Sequence, residues 1–180
     1  ALGKKMTKCI YCGEIANTKD HVPPKGLIRQ SNRDNLWKVE SCRNCNNGAS
    51  RDEEYFRLMI VGALCHTEEA DELFDGPISR SMEKRPAKEG WLFNSLGQNE
   101  GKPYIKWVPE TLQRVALKIA VGLAHKISVE PPQSNSSFTL EESEGRGEHE
   151  VWAPDFSFSY FKGRWELWFF DSVKIVIKPA

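Results

Sequence analysis

Apolar residues recur at Leu112, Val115, Ala116, Ile119, Ala120 and Leu123, the three-and-four spacing of one helical face. The spacing predicts a helix over 109–127, opened by Pro109, where a missing N–H costs nothing. Towards the C-terminus the period changes. Phe156 to Tyr160, Trp165 to Phe170 and Val173 to Ile177 alternate, with Lys162-Gly163 and Asp171-Ser172 between them. A period of two broken by short turns predicts a three-stranded antiparallel meander. Trp152, Trp165, Trp168, Phe169 and Phe170 then fall to the core of that sheet rather than to a base-stacking surface.

Upstream the signals are shorter. Lys19 to Val22 is an extended segment halted by Pro23-Pro24, and Leu36 to Glu40 alternates as a returning strand. Ser50 with Glu53 three residues on makes a capping box, predicting a helix over 51–64. Residues 66–107, punctuated by Gly76-Pro77, Arg85-Pro86 and Lys102-Pro103, read as irregular. Pro131 to Glu150 has the Ser/Glu/Gly composition of a mobile loop. The expected class is α+β. A small strand–strand–helix lobe over 7–65 is followed by an extension over 66–180, a helix and an antiparallel sheet packed on the first lobe.

A hydrophobic fraction of 39% suffices for a packed core, and no run of about 18 apolar residues exists to span a membrane. No charged-then-apolar leader opens the chain, so the expected location is cytoplasmic. The net charge of zero hides an asymmetry. Residues 1–51 hold ten Lys/Arg against four Asp/Glu, whereas the remainder holds fifteen against twenty-one. The basic surface therefore belongs to the first lobe, where a polyanion would be met. Lys25, Arg29, Arg33, Arg43 and Arg51 are its candidate phosphate contacts, with a solvated basic surface as the plain alternative.

Four of the five cysteines form two C-x-x-C pairs, Cys9/Cys12 and Cys42/Cys45, with 29 residues between the pairs. Two such pairs predict a closed, structural Zn2+ site with four thiolates. Cys65 stands in the apolar run Leu58 to Leu64 and reads as a buried thiol. Between the pairs lies Asp20-His21, and Asn46 follows the last cysteine directly. A carboxylate and an amide oxygen are hard ligands suited to a hydrated Mg2+ or Mn2+. The neighbouring imidazole can take a proton from an attacking water. An isolated loop histidine would simply bond to backbone; the setting of His21 between the two pairs favours chemistry. Asn47 is the alternative to Asn46. His125 and His149 lack partners at ligand spacing.

The order C-x-x-C, Asp-His, C-x-x-C-Asn resembles the HNH, or ββα-metal (His-Me finger), endonucleases, in the branch that carries zinc. The strings Asp20-His-Val-Pro-Pro-Lys25 and Cys42-Arg-Asn-Cys-Asn-Asn-Gly-Ala-Ser-Arg-Asp-Glu-Glu-Tyr-Phe56 carry the likeness, over about a third of the chain. The resemblance implies metal-dependent hydrolysis of DNA that leaves 5′-phosphate ends. His21 would be the general base, Asp20 and Asn46 the Mg2+ ligands, and Cys9, Cys12, Cys42 and Cys45 the zinc ligands. The pattern departs from the commonest form in lacking a histidine on the following helix, where Glu53 or Glu54 can substitute. The rival expectation is a non-catalytic zinc module that binds nucleic acid or protein, with Asp20-His21 only ordering the hairpin.

Overall fold

The computed structural model of the chain describes residues 7–84, 90, 94, 96–99 and 102–180. Its first lobe pairs β1 (Thr18–Val22) antiparallel with β2 (Trp37–Ser41), the register setting Asp20 opposite Val39 and His21 opposite Lys38. Two short helices follow, α1 (Arg43–Asn47) and α2 (Ser50–Met59). Along β1 the inward positions are Asp20 and Val22, while Lys19 faces solvent.

The predicted capping box does not form. Ser50 is the first residue of α2, and its hydroxyl donates to Asn47 O at 2.7 Å. Glu53 faces away from the cap towards a lysine on another helix. Nor does the helix run unbroken to Leu64: Ile60–Leu64 winds into a wider π-helical turn. A Cβ on Gly62 would lie 2.7 Å from the Phe74 ring, so the absent side chain admits the next segment.

The described residues of 66–107 are more regular than the punctuation suggests. They hold α3 (Glu68–Leu73), a π-helical turn (Phe74–Ile78) that absorbs Gly76-Pro77, and α4 (Ser79–Glu83). A hairpin of β3 (Leu96–Asn99) with β4 (Lys102–Ile105) follows, and Lys102-Pro103 opens its second strand. The Arg85-Pro86 turn lies outside the described residues. Helix α5 (Pro109–Ile127) spans the predicted range and buries the predicted stripe from Leu112 to Leu123. It ends at Ser128, whose left-handed φ of 59° closes the helix.

The C-terminal sheet is larger than a meander. Five antiparallel strands run in the order β5 (Ser137–Glu142), β9 (Val173–Lys178), β8 (Arg164–Phe169), β7 (Phe156–Phe161), β6 (His149–Trp152). The stretch expected as a mobile loop thus supplies one edge strand and opens the other. Pairing explains it: Leu140 opposes Ile175 and Phe138 opposes Ile177, extending the apolar face of the meander. Sparse apolar positions sufficed because an edge strand buries only one side. Lys162 and Gly163, both at positive φ, make the tight β7–β8 turn.

Phe156, Phe158, Trp165, Leu167, Phe169, Val173, Ile175 and Ile177 are buried along that face. Their core is continuous with the first lobe. Phe56 of α2 meets Phe169 edge-on at 5.5 Å between centroids, and Trp37 of β2 meets Trp152 at 4.9 Å. Helix α5 lies so close to β1 that a Cβ on Gly122 would sit 2.4 Å from Val22 Cγ2. The result is a mixed α+β fold in which the hairpin carrying Asp20-His21 is backed by α5. Among the described residues no helix is long and apolar enough to cross a membrane.

Candidate functional site

The two cysteine pairs meet. Cys9 N–H donates to Glu14 O at 2.7 Å and Gly13 N–H to Cys9 O at 2.9 Å, which closes the first knuckle. Gly13 sits at φ 79°, a region that disfavours side chains. Ile10 N–H donates to Glu40 O at 3.0 Å, docking this knuckle on β2. In the second pair Cys42 caps α1, its sulfur accepting from Cys45 N–H at 3.4 Å. The four sulfurs lie within 4.8 Å of one another, with Cys12 and Cys42 Sγ 3.7 Å apart. A tetrahedron with metal–sulfur bonds of about 2.3 Å has an edge of about 3.8 Å. The cluster can hold a structural metal ion such as zinc. Burial works to raise the Cys9 thiol, but hydrogen bonds from the backbone of Cys42, Tyr11 and Cys12 prevail and bring it down to about 6. Burial and the neighbouring thiols push Cys45 the other way, so the metal-free cluster favours the thiolate, the form that binds metal, at Cys9 first.

Beside the cluster a cleft of about 420 Å³ opens between the end of β1, the Lys25–Leu27 turn and α2. Asp20, His21 and Asn46 line it together, although alternation along β1 sends Asp20 inward and His21 to the other side. The chain turning at Pro24 lets the cleft reach around the strand end to both. Glu53, Glu54 and Arg57 form the helical wall, and Lys25 faces them.

Asn46 and Asp20 are both held. Asn46 Nδ2 donates to Thr18 Oγ1 at 3.2 Å and to Lys19 O at 3.1 Å, tying α1 to β1. With the nitrogen engaged there, Oδ1 is the atom Asn46 has for a cation. Asp20 is only 6% exposed, and its Oδ2 lies 2.7 Å from Lys118 Nζ. The same ammonium is 2.5 Å from Glu53 Oε1 and sits over the Tyr11 ring at 5.3 Å. Burial alone would lower Lys118, yet Glu53 and Asp20 hold it above the usual lysine value, so it stays charged. Burial raises Glu53 against the pull of Lys118. Burial, then the charge of Asp20 and a hydrogen bond to it, raises the Tyr11 phenol.

His21 has the opposite bias. Burial lowers it first, and Lys38 and Lys25 lower it further, with Asp20 pulling the other way. At neutral pH the imidazole is uncharged and can accept a proton.

Of the candidate phosphate contacts, only Lys25 lines the cleft. Arg29 turns inward: its backbone N–H and its Nε each donate to the buried Asp155 carboxylate at 2.7 Å. It is therefore withdrawn from the nucleic-acid set. Arg33 donates to Ile28 O at 2.7 Å and to Gln30 Oε1 at 2.8 Å, bracing its own loop. Arg43 and Arg51 are exposed on α1 and α2, beyond the cleft lining.

Sequence reasoning missed Arg57, Tyr11 and Lys118. Arg57 was within reach, three and four residues after Glu54 and Glu53 and so on their helical face. For Lys118 the local hint is slight, a lysine set between Leu117 and Ile119. No protein-family model, curated protein or solved structure matches the chain. The likeness to HNH nucleases rests on the motif residues alone.

A second, larger cleft of about 1010 Å³ opens between Leu64–Thr67 and the end of the sheet. Glu142, Glu144 and Asp171 line it, a charge of the wrong sign for a phosphodiester.

Proposed function

We propose that the chain is a metal-dependent endonuclease of HNH type that hydrolyses DNA phosphodiester bonds, with Zn2+ in the four-cysteine cluster. The observation that supports it is the shared cleft of Asp20, His21 and Asn46, beside that cluster, the three residues lying within the basic first 51 positions. The donors there are the Asp20 carboxylate and the Asn46 amide oxygen, hard ligands that suit Mg2+ or Mn2+. Asp20 and Asn46 would hold that ion. When bound, it supplies charge stabilisation to the phosphate and the departing oxygen.

The rest falls to side chains of this protein. His21, neutral at working pH, takes the proton from the attacking water. Lys25 and Arg57 place positive charge on the cleft wall, where non-bridging phosphate oxygens would be met. The buried wall of β1 and α5 keeps the Asp20 carboxylate in one orientation.

One observation favours a second reading. Lys118 already neutralises Asp20, and Asn46 already ties α1 to β1, so the trio has a scaffold role without any added ion. That is what a non-catalytic zinc module would show. Plasmid nicking in Mg2+ or Mn2+ separates the two readings. For the nuclease, His21→Ala lowers nicking by about 10²–10⁴-fold, with zinc content and melting unchanged. Equal activity in both proteins, or none in either, supports the binding module.

A further inference from the structure

The helix that backs the hairpin contributes a charge to the site. Lys118 Nζ stands between Asp20 Oδ2 at 2.7 Å and Glu53 Oε1 at 2.5 Å, and its side chain is only 14% exposed. Asp20 and Glu53 are close enough for the charge on Asp20 to raise Glu53. Two carboxylates in one half-buried wall repel each other, and an ammonium between them offsets that repulsion. The ammonium comes from a residue 98 positions beyond Asp20.

The arrangement has two consequences for a divalent ion. Asp20 Oδ2 is shielded from solvent, so an ion in the cleft would have to meet Asp20 through Oδ1. The fixed positive charge also sets how strongly the two carboxylates attract a dication.

We infer that Lys118 is a positioning residue of the hydrolytic site. It restricts Asp20 to one outward oxygen and keeps a divalent ion from settling between Asp20 and Glu53. Helix α5 is thereby a working part of the site rather than an appended support, and residues 7–65 alone would carry two uncompensated carboxylates. This inference rests on the reading of Asp20 as a metal ligand.

The experiment uses the full zinc-loaded chain with Lys118→Met, Lys118→Gln and Lys118→Arg, and titrates Mn2+ without DNA by electron paramagnetic resonance. With the ammonium gone, Mn2+ gains the inner oxygens and loses a repulsive neighbour, so the Met and Gln proteins bind it at least about tenfold more tightly. The Arg protein stays near the parent. Saturated nicking falls in the neutral variants because the ion has moved inward. Mn2+ affinity within twofold of the parent in a folded neutral variant overturns the inference, as does a parent chain that binds no Mn2+. Failure of both neutral variants to fold would assign Lys118 to the scaffold and overturn it too. A parent that binds Mn2+ but does not nick DNA ends the nuclease reading alone, because the affinity shift is read without cleavage.

Discussion

Arg29 and Asp155, 126 residues apart, are joined by two hydrogen bonds of 2.7 Å, from the arginine backbone N–H and from Nε. Asp155 is completely buried and Arg29 partly so, with Glu72 on its outer nitrogen at 3.1 Å. Burial would lower Arg29, but Asp155 and Glu72 together raise it above its ordinary value. This pair rivets the loop after β1 to the C-terminal sheet.

Asp155→Ala should therefore cost about 1–3 kcal/mol, because the Arg29 backbone N–H and Nε lose their acceptor while Nη1 keeps Glu72. Chemical denaturation measures the loss. A change below about 1 kcal/mol would show that the pair contributes little beyond geometry.

The cysteine cluster makes a prediction about metal. The purified chain should hold one zinc per molecule, and Cys45→Ser should hold none. Without that anchor the first knuckle and α1 lose the tie that holds them to the β1–β2 hairpin. Limited proteolysis should then cut the mutant between Thr7 and Asn47 while sparing the five-stranded sheet. A metal-free mutant as protease-resistant as the parent would refute the anchor.

Gly122 and Val22 should behave as a coupled pair. Gly122→Ala places a methyl group 2.4 Å from Val22 Cγ2 and costs about 1–3 kcal/mol despite the better helix propensity of alanine. In a Val22→Ala background the clash is relieved, and the same substitution becomes nearly neutral. A double-mutant cycle by denaturation reads the coupling. Additive losses would mean that α5 and β1 shift apart freely.

His21 should titrate below the usual imidazole value of 6.5, owing to burial and then to Lys38 and Lys25. The unfolded chain binds this proton at higher pH than the folded one. Its share of stability is therefore complete above pH 6.5 and is lost as pH falls through the folded value. Proton NMR of the ring, with His21→Ala to assign the resonance, gives the midpoint. A midpoint above 6.5 would contradict the buried, cation-flanked setting.

Much of the site was legible in the residues themselves. The cysteine spacing brought four sulfurs together, and the flanked Asp20-His21 and Asn46 do share a cleft. The period of α5 and the alternation of the last three strands also appear at the predicted places. Each of these signals is local, written within one turn, one strand or one metal-binding spacing. The edge strand from Ser137 to Glu142 escaped because its partner lies more than thirty residues away, and pairing, not propensity, makes it a strand.

Partnership is what local pattern does not encode. A basic residue beside a phosphate-like motif looks the same on the page whether it faces solvent or a buried acid. Arg29 turned to Asp155, Glu53 left its cap for Lys118, and Lys118 came from a helix chosen for its apolar face. Periodicity tells which face of an element is buried, but the charge waiting opposite depends on which elements the shared core packs side by side. In this chain the packing of α5 behind β1 decides the electrostatics around Asp20.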